Sequence, residues 1–170
     1  MSFVKAPSLT TDRLILREYT ARDFEAFAML YASPRSKFAD GPVPRSTAWA
    51  WFAAGIGRWQ LVGYGAWAVD RRSDGACVGV VSLNHPINEN EERELGWLLW
   101  EQFEGFGFAV EAAAEAKRFA FNELRFSTLV SYIDKDNDQS IRLAEKLGAS
   151  LDTEATNRAD ERTLVFRYEP

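Results

Sequence analysis

The chain has 170 residues, a common length for one domain and enough to bury a single sizeable core. With 46 % hydrophobic and 26 % charged residues it has the balance of an ordinary globular protein, which excludes a disordered or fibrous class. Its net charge of −5 comes with no basic run, so the counterion-release attraction of nucleic-acid binders has no source and a small ligand is the expected partner.

Met1 to Thr10 lacks the apolar core of a secretory signal and no window approaches a membrane span, so a cytoplasmic protein with no membrane partner is expected. Leu14, Ile15 and Leu16 form a short apolar run between charges and predict the first strand. Thr20 caps the helix that follows, with Asp23 three residues on as in a capping box, and Phe24, Phe27, Ala28 and Tyr31 make its buried stripe. Pro34 ends it.

Pro34 to Arg45 holds three prolines and Gly41, which is loop chemistry, and Ser46 can cap a second helix running to Leu61. Its stripe reads Trp49, Phe52, Ala53, Ile56 and either Trp59 or Gln60, and the helix is weakened by Gly55 and Gly57. Trp51 lies off the stripe, either lining a pocket or packing on a neighbour. The six Trp and twelve Phe exceed what strand pairing needs, and imply ring-lined surfaces in the core or around an apolar channel.

Gly65–Val69 and Ala76–Leu83 read as strands joined by a hairpin at Asp74-Gly75. Cys77, the single cysteine, has no partner for a disulfide and sits in that strand as a small hydrophobe. The single His85 falls at a loop edge and excludes a His-rich metal site. After a polar turn at Asn88 to Glu92, the strand Glu94 to Trp100 completes an antiparallel meander.

From Glu94 to Ile133 the pattern becomes strand, helix, strand, which requires a right-handed crossover and a parallel pair. The turn between is Gly105-Phe106-Gly107, and no Ser, Thr, Asp or Asn stands immediately ahead of Gly107 to bond the opening amides of the helix. Those donors can converge on a phosphate at the positive helix end; an ordinary turn with water on its amides is the alternative. Ala109, Ala113, Ala116 and Ala120 let this helix lie close to the sheet, while Glu111, Glu115, Arg118 and Asn122 face away. Asp136 and Gln139 bracket a fourth helix, Gly148 stops it, and Ala149–Ala155 with Thr163–Tyr168 reads as a closing hairpin. With no internal repeat or linker, residues 1–170 are expected to form one domain.

Gly105-Phe106-Gly107-Phe108-Ala109, then Glu111-Ala112, Asn137-Asp138-Gln139-Ser140, Leu143 and Glu145-Lys146-Leu147-Gly148 together resemble the GCN5-related N-acetyltransferases (GNAT). Leu9 to Arg17 looks like the opening of the RimJ/RimL-like branch, which acetylates ribosomal-protein N-termini and related acceptors. The resemblance implies an α+β fold: a mixed, mostly antiparallel sheet of about six to seven strands with about four helices. It also implies acetyl-coenzyme A wedged in a splay between the strands at Glu94 and Phe126, no metal, and a monomer or homodimer acting on a peptide or small-molecule amine. Two departures stand out. Glu104 occupies the place where the family's phosphate turn commonly begins with Gln or Arg, and must turn its carboxylate outward. Ala144 occupies the place of the tyrosine that many members use as general acid, so Ser140 is the implied proton donor.

Attack on a thioester requires a neutral amine, and a carboxylate at Glu94 can take the proton directly or through water; a solvated strand-end charge is the alternative. A backbone N–H of Leu98 or Leu99 is the expected donor to the carbonyl oxygen. Leu98, Leu99, Trp100 and Gly105 to Ala109 are the expected cofactor contacts, with Asn137 on a pantetheine amide, although Asn137 and Ser140 equally suit helix capping. Phe38, Trp51 and Trp59 are the expected acceptor walls. Two other readings compete: a non-catalytic acyl-coenzyme A module of the same fold, and a dinucleotide-binding oxidoreductase, whose fingerprint fails where Val110 replaces Gly or Ala.

Overall fold

The computed structural model describes residues 5–170, so the first four residues of the Met1–Thr10 stretch lie outside the described residues. In chain order the elements are β1 (Leu9–Thr10), β2 (Leu14–Arg17), α1 (Phe24–Ala32), α2 (Arg45–Val62), β3 (Ala66–Arg71), β4 (Cys77–Asn84), β5 (Glu94–Leu99), α3 (Phe108–Asn122), β6 (Leu129–Asp134), α4 (Asp138–Lys146), β7 (Ser150–Leu151), α5 (Thr153–Arg158) and β8 (Thr163–Tyr168). The strands form one sheet in the order β1, β2, β3, β4, β5, β6, β8, β7, and β5–β6 is its parallel pair. The mixed, mostly antiparallel sheet is as expected, with eight strands and five α-helices among the described residues. The additional elements, β1 and α5, are too short to leave a periodic pattern.

Strand alternation divides the core in two. On β3, Trp67 and Val69 enter the core under α3 and α4, whereas Ala66 and Ala68 enter the core under α1 and α2. On β5, Leu95 joins the first core, with Trp97 and Leu99 packed against it, while Leu98 packs against the second. This alternation later decides which face each site residue serves.

The Thr20–Asp23 capping box is present and leads through a single 3₁₀ turn into α1. Asp23 is buried, and its charge is met by the Arg17 guanidinium at 2.8 Å, which also reaches Asp70 at 2.6 Å. Other local readings are corrected. Helix α2 starts at Arg45 with Pro44 at its cap, so Ser46 lies inside the helix. Its buried stripe is Ala48, Phe52, Gly55 and Trp59; Trp49 and Ile56 are exposed. Gly55 serves close approach, since a Cβ there would stand 3.1 Å from Tyr19 and 3.2 Å from Ala66. At α4 the cap is Asn137, not Asp136: the Asn137 side chain accepts from the Ser140 amide. The closing hairpin exists as β7 against β8, but α5 is folded into its connection.

Candidate active site

The β5–β6 ladder opens almost as soon as it begins. Glu94 pairs with Val130, and the Val130 amide donates to Arg93 O at 3.0 Å. At the next rung the Ser131 hydroxyl, 2.6 Å from Leu95 O, takes the carbonyl that a β6 amide would otherwise bond. The Tyr168 hydroxyl backs Ser131 at 3.0 Å. Beyond this point β5 and β6 part, and a cleft of about 1060 Å³ fills the gap. It is lined by both strands, the start of α4, the α5–β8 segment and the inner faces of α1 and α2.

Glu94 enters the cleft on the α1–α2 side. It lies opposite Asn84 in the β4–β5 register, and Asn84 Nδ2 donates to Glu94 Oε2 at 2.9 Å. Arg58, reaching in from α2, donates through Nη1 to Asn84 Oδ1 at 2.9 Å and so orients that amide. Burial pushes the Glu94 carboxyl above the ordinary glutamate range, opposed by the Asn84 amide and the Tyr132 backbone, which favour the ionised form. A carboxyl of raised pKa facing a cleft is suited to accept a proton near neutral pH. Tyr31 lies on the same side, its hydroxyl pushed up to about 12 by burial, so it remains protonated.

Ser140 enters from α4 on the opposite side of the sheet. Trp97 Nε1 lies 3.3 Å from Ser140 Oγ and can only donate, which leaves the serine hydrogen free to point into the cleft. The Ser140 amide, not its hydroxyl, closes the cap on Asn137 Oδ1 at 3.2 Å. Capping and ligand binding are therefore compatible: Asn137 keeps its Nδ2 and Ser140 its hydroxyl for the cleft. Ala144 is fully buried on the core side of α4 and has no access to it.

The glycine turn has the backbone that its residues require, with Gly105 at φ +82° and Gly107, the α3 cap residue, at φ +79°. The Glu111 amide bonds Gly107 O, but among the described residues nothing accepts from the amides of Phe108, Ala109 or Val110. Glu111, in the first helical turn, sends its carboxylate away to Thr11 Oγ1 at 2.5 Å and Arg13 Nε at 2.6 Å. Arg13 also donates to Phe106 O at 2.9 Å and lies over the Phe108 ring, which clamps the turn and sets a positive charge beside it. Glu104 does not face solvent alone: it is paired with Arg35, and both line the cleft. Unsatisfied amides, a helix positive end and a neutralised carboxylate fit a bound diphosphate.

Of the remaining sequence-predicted residues, Phe38, Trp51, Leu98, Leu99 and Ala109 line the cleft. The backbone phase separates the two leucines. Trp100 N–H donates to Val78 O, so Leu98, two residues earlier, also turns its amide to β4, whereas Leu99 turns its amide toward the gap. Phe106 is exposed at the turn, and Phe108 buries its ring in the core while its amide stays at the helix start. Trp59 is not an acceptor wall: it is 4 % exposed, packs edge-on against Trp67 and donates to Ala66 O at 3.0 Å. The Trp100 ring likewise leaves the cleft for the second core, because its even position turns it to the α1–α2 side. Sequence reasoning missed Arg58, Asn84 and Trp97. Asn84 was open to discovery from the hairpin register opposite Glu94; Arg58 and Trp97 act through packing between distant elements and leave no local signal.

A splayed mixed sheet with these two faces is the architecture of an acetyltransferase, and a family model described as an acetyltransferase (GNAT) domain matches residues 13–150. The chain belongs to the GNAT acetyltransferase family. It is similar to a crystallised acetyltransferase from Agrobacterium tumefaciens, with 39 % identity and a TM-score of 0.92 over 100 % of this chain and 98 % of that one. YkkB of Bacillus subtilis, itself uncharacterised, is 29 % identical over 82 % of this chain and 83 % of its own length. The ribosomal α-N-protein acetyltransferase RimL, solved with coenzyme A, shares the fold at a TM-score of 0.76 and 16 % identity, covering 96 % of this chain and 98 % of RimL.

Proposed function

We propose that the protein moves an acetyl group from acetyl-coenzyme A to a primary amine, a protein N-terminus or a small-molecule amine, by direct attack within a ternary complex. One observation carries this reading: Glu94 and Ser140 stand on opposite faces of the sheet at the place where its ladder opens. An acetyl thioester lying in the gap has a proton acceptor on one side and a hydroxyl donor on the other.

Acetyl-coenzyme A would supply an activated acetyl group on a thiol leaving group. The residues that would hold it are the amides of the Gly105–Ala109 turn for its diphosphate, with Asn137 Nδ2 for its pantetheine arm. Glu94 takes the proton that the attacking nitrogen must shed as the N–C bond forms. The Leu99 amide faces the oxygen on which negative charge grows. Ser140 offers a hydrogen bond to the sulfur as the C–S bond breaks; because a thiol of pKa near 8.5 leaves readily as its thiolate, no full proton transfer from the serine is needed.

RimL, shown with coenzyme A, supports the cofactor assignment, and the Leu9–Arg17 opening supports the RimJ/RimL-like branch. We place the enzyme in the cytoplasm as a monomer or homodimer, with no metal and no nucleic-acid partner. Thermal shift with acetyl-coenzyme A, coenzyme A and NAD, followed by thiol release with an amine panel, tests the reading. Stabilisation by acetyl-coenzyme A without thiol release from any amine would leave the non-catalytic module, and stabilisation by NAD alone would leave the oxidoreductase.

A further inference from the structure

Four arginines line the cleft, and three of them are neutralised. Arg35 pairs with Glu104, Arg158 with Glu154 at 2.6 Å, and Arg162 with Asp134 at 2.9 Å and Asp136 at 2.7 Å. Arg58 differs. Half-buried near the end of α2, it has no carboxylate within ion-pair distance among the described residues, and Asn84 Oδ1 is the acceptor of one of its five N–H donors. Tyr19 and Glu94 lie within electrostatic reach of it, but Glu94 is reached only through Asn84, so no carboxylate touches the guanidinium among the described residues. Withdrawing a guanidinium from water without an anion is unfavourable, and the planar fork left open matches a carboxylate.

We propose that Arg58 reads a carboxylate on the acceptor, and that the acceptor is a free amino acid with an apolar side chain rather than a polyamine or a peptide N-terminus. This rests on the acetyltransferase reading above and names its substrate class. Through the Asn84 amide, two bonds of 2.9 Å join Arg58 to Glu94. The guanidinium and the base are therefore at most about 8 Å apart once the width of the amide is added. An amine about 3 Å from Glu94 and a carboxylate about 3 Å from Arg58 leave the short separation found between the two groups of an α-amino acid. Tyr31, Trp51 and Phe38 supply apolar walls for its side chain. Asn84 links the two readers, so seating the carboxylate and aiming the base are one arrangement.

The test compares phenylalanine with phenylalaninamide, and leucine with leucinamide, in thiol release by the full chain and by Arg58→Gln and Arg58→Lys. The amide has the more acidic ammonium, so the readout is the acid-to-amide ratio of kcat/KM in each protein, in which that intrinsic difference cancels between variants. The ratio is read at about pH 10, where both amines are largely neutral, so a loss of Glu94 positioning, which matters only while the amine must be discharged, does not move it. We expect Arg58→Gln to lower the ratio on the order of 10- to 100-fold, with Arg58→Lys between, while acetyl-coenzyme A still stabilises both variants. Ratios within twofold of the parent in both variants would overturn the proposal, as would faster acetylation of spermidine, a tetrapeptide N-terminus or an aminophosphonate analogue than of either amino acid. Thiol release with amines but no such ratio change sinks the carboxylate reader alone; no stabilisation by acetyl-coenzyme A and no release with any amine sinks the transferase reading itself.

Discussion

Replacing Glu94 by Gln removes a proton acceptor and preserves nearly everything else. The side chain keeps its length, and the Gln carbonyl can still accept from Asn84 Nδ2, which now lies 2.9 Å from Glu94 Oε2. A positioned general base contributes about 10²- to 10⁴-fold, or roughly 3 to 5 kcal/mol of barrier. That loss appears only while the amine must be discharged. For an acceptor amine of pKa about 8, roughly a tenth is neutral at pH 7 and nearly all at pH 9.5, so kcat/KM of the variant should climb about tenfold over that range. The parent profile should rise at lower pH, as Glu94 ionises, and then flatten. The assay is thiol release at saturating acetyl-coenzyme A from pH 5.5 to 9.5. A loss of equal size at pH 7 and pH 9.5 would refute Glu94 as base.

The same substitution makes a stability prediction of opposite sense. Because burial raises the Glu94 pKa in the folded state, its ionised form opposes folding at pH values above that raised pKa, and the opposition fades as pH falls below it. Glu94→Gln should therefore raise Tm at pH 7 and have little effect near pH 4; a lowered Tm at pH 7 would contradict the burial argument. Gly107→Val places a branched side chain at φ +79°, with its Cβ 3.4 Å from the Arg13 guanidinium, and should abolish stabilisation by acetyl-coenzyme A at a folding cost of about 1–3 kcal/mol. Unchanged affinity would count against the turn as a diphosphate site. Ser140→Ala leaves the α4 cap intact, since the cap uses the Ser140 amide, and should lower kcat about tenfold with little change in the KM for acetyl-coenzyme A. An unchanged kcat would remove Ser140 as donor. Trp59→Ala should destabilise by about 3–5 kcal/mol, roughly 10 °C in Tm, and a variant that keeps its Tm but loses acceptor affinity would restore Trp59 to the pocket.

Local chemistry was legible wherever one stretch of chain decides its own conformation. The Thr20–Asp23 box, the Asp74-Gly75 hairpin, the positive-φ glycines at 105, 107 and 148 and the alanine face of α3 all follow from steric and hydrogen-bonding preferences acting over a few residues. The amides at the start of α3 were open to prediction for the same reason: a helix start without a capping side chain leaves donors unmet wherever it is placed. Trp59 shows where such reasoning stops. Its helical phase correctly put it on a buried stripe, but periodicity does not say whether the surface opposite is a cleft or, as here, Trp67 and Phe119.

The sequence by itself determined the family, the order of the longer strands and helices, and the types of group present at Glu94, Asn137 and Ser140. Only the tertiary structure decided that Glu94 and Ser140 occupy opposite faces, because that depends on where the β5–β6 ladder ends and which helices cover each side. It also brought Arg58 to Asn84, across 26 positions of chain, and Trp97 to Ser140, across 43. Those bonds join separate elements, and packing of the whole chain sets their distances, whereas a capping box or a glycine turn closes within one.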